Sequence, residues 1–244
     1  MRRFFLKQPL KSEMVLQDEN VHYISNVLRM RQGDPILVVG IDGQTGQAVI
    51  SRIDRDSIVL SLRNIVAEMQ EPPLQVVLAQ GLTKHDKMEY IIQKAVELGV
   101  HAVIPMLTEH CVVRYDEKKM ADRCCRWQKI ATEAAQQSRR SGVPAIGPIR
   151  SMSAVLTEFE RKTEIYMLYE GRTPQGIKSA LQTAGTRSFL LLVGPEGGFS
   201  SREVSDAANA GARIVTMGPR ILRTETASLA ALSVIMYEYG DLGG

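Results

Sequence analysis

Gly194-Pro195-Glu196-Gly197-Gly198-Phe199-Ser200 follows the apolar run 189–193, and Gly218-Pro219-Arg220-Ile221-Leu222-Arg223-Thr224-Glu225-Thr226-Ala227 follows 213–217. Each stretch reads as a strand, an irregular turn and a helix. Such turns stand at the carboxyl ends of strands, where open α/β sheets bind ligands. Two in succession predict one small molecule gripped by backbone from two loops. The first is not a P-loop, since no Gly-Lys-Ser/Thr follows, and it lacks the glycine spacing of the dinucleotide fingerprint. Gly197 and Gly198 also fit a plain turn that needs positive φ. Pro195 stiffens the loop and removes a donor, as a rigid binding wall requires. In the second stretch Arg220 and Arg223 flank Ile221 and Leu222. The apolar pair suits packing on a flat ring such as adenine, and Arg223 suits an anionic or polar group. A surface pair of Arg223 with Glu225 is the plainer alternative.

Outward from these loops, strands and helices alternate. Strands are predicted at 74–79, 100–106, 164–168, 189–193 and 212–217, with helices at 86–98, 122–140, 174–184, 201–210 and 225–238. Met88, Ile91, Ile92 and Ala95 share one face of the 86–98 helix, which Gly99 ends. The 122–140 helix turns Trp127, Ile130, Ala131, Ala134 and Ala135 inward. Ser200 and Glu203 have capping-box spacing. This alternation predicts a mostly parallel sheet with helices on both faces.

Upstream, 36–39, 47–53 and 58–62 are strands rich in Val and Ile, separated by turns at Asp42-Gly43 and Arg55-Asp56-Ser57. A helix over 20–30, capped by Asp18 or Asn20, would place Ile24, Val27 and Leu28 on one face. With a strand-like start, this makes a small barrel-like unit. Glu71-Pro72-Pro73 then forces an extended connection, so the domains are taken as 1–72 and 73–244.

The chain is 44% apolar and 23% charged, ordinary for a globular protein. Its net charge of +3 means that nucleic-acid binding needs a local basic face. Two segments qualify. One holds Arg2, Arg3, Lys7, Lys11, Arg29 and Arg31 with Tyr23; the other is Gln136-Gln137-Ser138-Arg139-Arg140. Both fit RNA contact, through phosphate, stacking or base edges. Both also fit a solvated basic face, or charge that complements a helix end. Cys111, Cys124 and Cys125 lack metal-ligand spacing, and the four histidines are scattered, so no metal is expected. No apolar run is long enough to span a membrane. Lys7 and Lys11 interrupt what would be a signal-peptide core. A cytoplasmic protein is expected.

The residues resemble a known family, the bacterial 16S ribosomal RNA (uracil-N3)-methyltransferases of the SPOUT class. The resemblance runs end to end. It is carried by Arg2-Arg3-Phe4-Phe5, His22-Tyr23-Ile24 with Val27-Leu28-Arg29, Gln80-Gly81 leading to Lys84, and Met88-Glu89. Gln93-Lys94-Ala95-Val96-Glu97-Leu98-Gly99-Val100, Gln137-Ser138 with Arg140, Gly194-Pro195-Glu196-Gly197-Gly198 and Leu222-Arg223-Thr224-Glu225-Thr226-Ala227 complete it. The last two blocks in that order are the most specific.

The resemblance implies a trefoil-knotted α/β methyltransferase domain over 73–244 and a PUA-like RNA-binding β-barrel over 1–72. It implies a homodimer, no metal, and S-adenosylmethionine held by Leu168, Tyr169, Glu170, Gly194, Pro195, Glu196, Gly197, Met217, Gly218, Ile221, Leu222, Thr226 and Ala227. The target would be N3 of one uridine of the assembled small ribosomal subunit. Arg2, Arg3, Arg29, Arg31, Gln137, Arg139 and Arg140 would meet RNA. Arg223 would stabilise the uridine anion, and Glu196, Glu170 or Glu225 would accept its proton. The chain departs from the family at Gln136, where Glu is expected, and at Arg139, where Gly is expected. Rival readings are a SPOUT enzyme acting on tRNA or a ribose hydroxyl, a non-catalytic RNA-binding protein, and a nucleotide-dependent oxidoreductase. The methylated atom and a cofactor-binding assay separate them.

Overall fold

The computed structural model describes residues 3–17, 19–67, 71–113, 115–159, 163–171 and 175–244, without the side chains of Glu19 and His85. Arg2 and Asp18, named above, and Pro174, the first residue of the helix expected at 174–184, lie outside the described residues. The chain forms two compact units, 1–71 with 135–143, and 72–134 with 144–244.

The first unit contains β1 (Arg3–Phe5), β2 (Glu13–Leu16), α1 (Glu19–His22), a π-helical turn (Tyr23–Val27), β3 (Pro35–Val39), β4 (Thr45–Ile53) and β5 (Ile58–Val66). Its sheet runs β1-β3-β4-β5-β2, with β1 and β3 parallel and the other pairs antiparallel. Alternation sends Ile58, Leu60 and Leu62 inward along β5. Register shifts at Thr45/Gln47 and Ile50/Arg52 bend β4. The sheet thereby curls around Phe4, Ile24, Ile36, Val38 and Ile50. The helix expected over 20–30 is instead short and ends in the π-turn, where Leu28 N–H donates to Tyr23 O at 2.9 Å. The wider turn rotates Val27 away from Ile24: Val27 is 56% exposed and Ile24 is fully buried.

Segment 135–143 departs from the expected division, which placed it in the second domain. Periodicity reads one continuous helix there, but polar contacts assign its end to the first unit. The Arg3 guanidinium donates to the carbonyl oxygens of Arg139 and, at 2.7 Å, Arg140. The Glu71 carboxylate accepts from the Arg140 guanidinium and from the N–H groups of Ser141 and Gly142, at 2.9 and 3.0 Å. A helix C-terminus needs such donors for its unpaired carbonyls.

The second unit contains β6 (Gln75–Gly81), α2 (His85–Glu97), β7 (Ala102–Leu107), α3 (Glu117–Gln137), β8 (Ala145–Ile146), β9 (Arg150–Ser151), α4 (Met152–Phe159), β10 (Glu164–Leu168), α5 (Ile177–Leu181), β11 (Ser188–Val193), α6 (Ser201–Asn209), β12 (Arg213–Val215) and α7 (Thr224–Tyr239). α3 runs on into the first unit. The parallel sheet runs β12-β10-β11-β6-β7-β8, with β9 also paired to β7. Its central strands are nearly continuous apolar runs because helices cover both faces. Val77, Ala79, Leu190 and Leu192 meet Val155 of α4 and Ala207 of α6 in one core layer. α2 packs against α7, with Met88, Ile91, Ile92 and Ala95 buried on α2 and Leu232, Ile235 and Met236 on α7. From the edge strand β12, α7 returns to lie beside β11 and β6 in the middle of the sheet. The elements over 145–159 escaped the sequence reading, since strands of two residues carry no measurable period.

Candidate active site

β12, β10 and β11 are neighbours and parallel, so the loops leaving their carboxyl ends meet. With the first turns of α2 and α7 they line a cavity of about 320 Å³. Leu168, Tyr169, Glu170, Gly194, Pro195, Glu196, Met217, Gly218, Ile221, Leu222, Arg223 and Ala227 all line it. Gly197 and Thr226 are not on its wall. The Gly197 carbonyl turns to His110 Nδ1 at 2.9 Å, and Thr226 lies on the exposed side of α7. Lys87, Val193, Gly198, Phe199, Thr216, Pro219, Arg220 and Thr224 complete the lining. Lys87 was missed because it lies far from both loops in sequence. Its one signal was a basic residue in a helix's first turn, where the dipole disfavours it.

The loop after β11 is built into the fold. Gly194, Pro195, Gly198 and Phe199 are buried. Gly198, not Gly197, takes the left-handed conformation, with φ +67°. A Cβ on Gly81 would stand 2.5 Å from Pro195 N, so the β6 backbone presses directly against the loop. Buried Gln80 sends Nε2 to Thr224 Oγ1 at 2.9 Å and toward Gly194 O at 3.4 Å. Thr224 Oγ1 donates to Gly194 O at 2.6 Å. The single Ser228 hydroxyl proton is shared between Gln80 Oε1 and Thr224 O. This network joins β6, the loop and α7. Ser200 caps α6 as predicted, with Glu203 reaching back to Ser200 N–H at 2.9 Å.

The loop after β12 is open. Gly218, Pro219, Arg220, Ile221 and Arg223 are exposed, and Gly218 has φ +116°. Thr216 Oγ1 accepts from Gly218 N–H at 3.2 Å. Leu222 is half-buried while Ile221 is 83% exposed, so the two do not face one ring together. Arg223 occupies the N-cap position of α7 without a side-chain capping bond. The alternative surface pair of Arg223 with Glu225 does not form. Glu225 instead meets Lys87 at 3.4 Å, and Lys87 also meets Glu196 at 3.5 Å.

Glu170 lies over Gly198, where any Cβ would collide with its carboxylate. Among the described residues no histidine lines the cavity. Among the described residues no cluster of His, Cys, Asp and Glu could hold a metal ion. In β10, burial foremost, and then the Glu164 charge, push the Tyr166 phenol up to about 12 against the opposing pull of Arg213.

The residues expected at RNA separate into two groups. Arg29, Arg31, Gln137 and Arg139 are exposed, and Arg29 and Arg139 hold left-handed φ values of 53° and 61°. Arg3 and Arg140 are instead buried, at 8% and 7% exposure, and bind within the first unit. Their guanidiniums tie the end of α3 to β1 and Glu71, which takes them away from solvent. Gln136, half-buried, offers its carbonyl to Arg139 N–H.

Comparison with known proteins agrees with this architecture. Residues 70–236 match the RNA methyltransferase domain family, and residues 16–63 match the RNA methyltransferase PUA domain. A ribosomal RNA small subunit methyltransferase E of Bacillus subtilis is 37% identical, covering 100% of this chain and 99% of that protein. One from Synechocystis is 31% identical over 94% of this chain and 74% of its own length. The crystal structure of such an enzyme from Neisseria gonorrhoeae bound to S-adenosyl methionine superposes with a TM-score of 0.88, at 32% identity and 99% coverage of each chain. Both domain matches, the identity to relatives over the whole chain and the superposition agree, and the chain belongs to the RNA methyltransferase family that includes the ribosomal RNA small subunit methyltransferases E.

Proposed function

We propose that this protein uses S-adenosylmethionine to methylate N3 of one uridine in small-subunit ribosomal RNA, acting on the assembled subunit in the cytoplasm. The observation that carries this reading is a cavity walled by three strand-end loops, with Arg223 at its mouth and bound to no carboxylate among the described residues. Its volume of about 320 Å³ suits a small cofactor. Leu168, Val193, Pro195, Phe199 and Leu222 offer an apolar wall for the adenosine. Glu170, Glu196 and Glu225 offer negative charge toward a cation. The first N–H groups of α7, left without a side-chain cap, suit a carboxylate. The residues therefore fit this cofactor.

When bound, the cofactor supplies an electrophilic methyl group on a positively charged sulfur. The uridine N3–H must first lose its proton, because protonated N3 is a poor nucleophile. Arg223 stabilises the resulting anion, and the proton passes to solvent. Glu196 is held by Lys87 and by Lys84 N–H at 3.4 Å, an arrangement that fixes the loop rather than frees a base. The N3 lone pair then forms the bond to the methyl carbon, and the carbon–sulfur electron pair returns to sulfur. The walls of the cavity contribute alignment and exclude water. The base must leave its stack to present N3, and exposed Arg29, Arg31, Gln137 and Arg139 are candidates to hold the surrounding RNA.

The return of α7 to the middle of the sheet is the path on which a trefoil knot would close. A homodimer is part of the same proposal. α7 is apolar on several sides, and Tyr237 and Leu242 at its end, with Tyr90 on α2, are exposed. The test is methyl transfer from labelled S-adenosylmethionine to small subunits lacking the modification, mapped by nuclease digestion and mass spectrometry. Label in 3-methyluridine at one site is expected. Label in a ribose hydroxyl, or on transfer RNA alone, overturns the reading.

A further inference from the structure

We infer that Lys87 sets the electrical balance of the cofactor cavity and, through it, the preference between the cationic cofactor and its neutral product. This inference rests on the methyltransferase reading above. Lys87 lies in the first turn of α2, a position where the helix dipole disfavours a cation. It is nevertheless held there between two carboxylates from different elements. Its ammonium stands 3.5 Å from Glu196, on the loop after β11, and 3.4 Å from Glu225, in the first turn of α7. The Glu225 side chain is only 18% exposed. Its Oε2 is buried with no hydrogen bond, so the ammonium is the group that compensates it. Lys87 itself lines the cavity, and no other cation touches either carboxylate among the described residues.

The charged groups around the cavity are Lys87, Glu170, Glu196, Arg220, Arg223 and Glu225. With the ammonium present these charges cancel; without it one negative charge is left over, close to the reacting atoms. S-adenosylmethionine carries one more positive charge than S-adenosylhomocysteine. A surplus carboxylate therefore favours the reactant over the product. The same surplus charge opposes formation of the uridine anion. Lys87 is thus a positioning residue on two counts. It joins two walls of the cavity, and it holds their carboxylates in a state that discriminates weakly between the two cofactor forms.

The experiment compares the wild-type protein with Lys87→Met and Lys87→Arg, and with Lys94→Met as a control. Lys94 lies on the same helix but pairs with Glu97 at 2.8 Å and does not line the cavity. Calorimetry gives the dissociation constants of S-adenosylmethionine and S-adenosylhomocysteine, and thermal melting without ligand reports the fold. In Lys87→Met the ratio of the two constants should shift about tenfold toward the cationic form. The pH–rate profile should move up by about one unit, since the uridine must ionise against an extra charge. Lys87→Arg should restore both, and Lys94→Met should change neither. An unchanged ratio and pH profile in Lys87→Met overturn the role of Lys87, even if its melting temperature falls. Failure of the wild-type protein to bind either ligand would instead overturn the methyltransferase reading.

Discussion

The two loops that carry the family motifs differ in how they are held. The loop after β11 is buried at Gly194, Pro195, Gly198 and Phe199, pressed onto Gly81 and fastened through Gln80 and Thr224. The loop after β12 is exposed from Gly218 to Ile221, and Arg223 projects beside it. Both are Gly-Pro turns after an apolar strand, so their sequences look alike. Their difference comes from what lies underneath. β11 is flanked by β10 and β6, whereas β12 is the edge of the sheet. One loop is a preformed wall and the other a surface offered to a second molecule, a division suited to an enzyme that must grip a cofactor and admit RNA.

The largest expected effect breaks the wall. Gln80→Leu removes the buried amide that bonds both Thr224 and Ser228, and the loss of these bonds should cost about 3 kcal/mol in urea-unfolding stability. Cofactor affinity should fall with it. If stability is unchanged, the first loop is held by something other than this network. Next, Arg223→Ala should leave stability and cofactor affinity nearly intact while lowering turnover about a hundredfold. Parallel loss of affinity would mean that Arg223 builds the cofactor pocket and that the two loops share one role.

The same contrast between tied and exposed groups recurs in the first unit, where Arg140 is buried and its neighbour Arg139 is exposed. Arg139 holds φ 61° just past the end of α3, and Arg140 N–H bonds back to Ala135 O at 3.0 Å. Glycine suits that conformation, so Arg139→Gly should raise stability by up to about 1 kcal/mol. It should also weaken binding to small subunits and reduce its salt dependence. The smallest effect lies beneath the loops. Tyr166 has an ordinary value of 10.0 raised to about 12. Between those pH values the unfolded chain has lost this proton and the folded chain has kept it, so stability falls as pH rises through that window. Tyr166→Phe should flatten the fall in alkaline unfolding curves and alter nothing near neutrality. A change at neutral pH would mean that the strand floor, as well as the loops, tunes the site.

Much of this was legible along the chain. Met88, Ile91, Ile92 and Ala95 mark a buried helix face by spacing alone, and all four are fully buried. Ser200 and Glu203 form their capping box because that bond spans a single turn. Val27 was misplaced because a π-turn shifts the phase without leaving a signal in composition. Arg3 and Arg140 looked like RNA contacts because a basic residue reads the same whether it faces phosphate or a helix's last carbonyls. Ile221 and Leu222 looked like one packed face because apolarity does not reveal direction; both line the cavity, but Ile221 is exposed and Leu222 half-buried. Lys87 left only the signal of a cation in a helix's first turn, since its carboxylate partners, Glu196 and Glu225, lie far away along the chain.

By itself, the sequence determined most of the strands and helices outside 20–30 and 145–159, that they alternate into a parallel sheet, and that two glycine-proline turns stand at strand ends. These properties depend on residues a few positions apart. Only the tertiary structure decided that the two loops converge on one cavity, that one is locked and the other open, and that Lys87 joins their carboxylates. Those facts depend on strand order, and strand order is set by the packing of whole faces rather than by any local pattern.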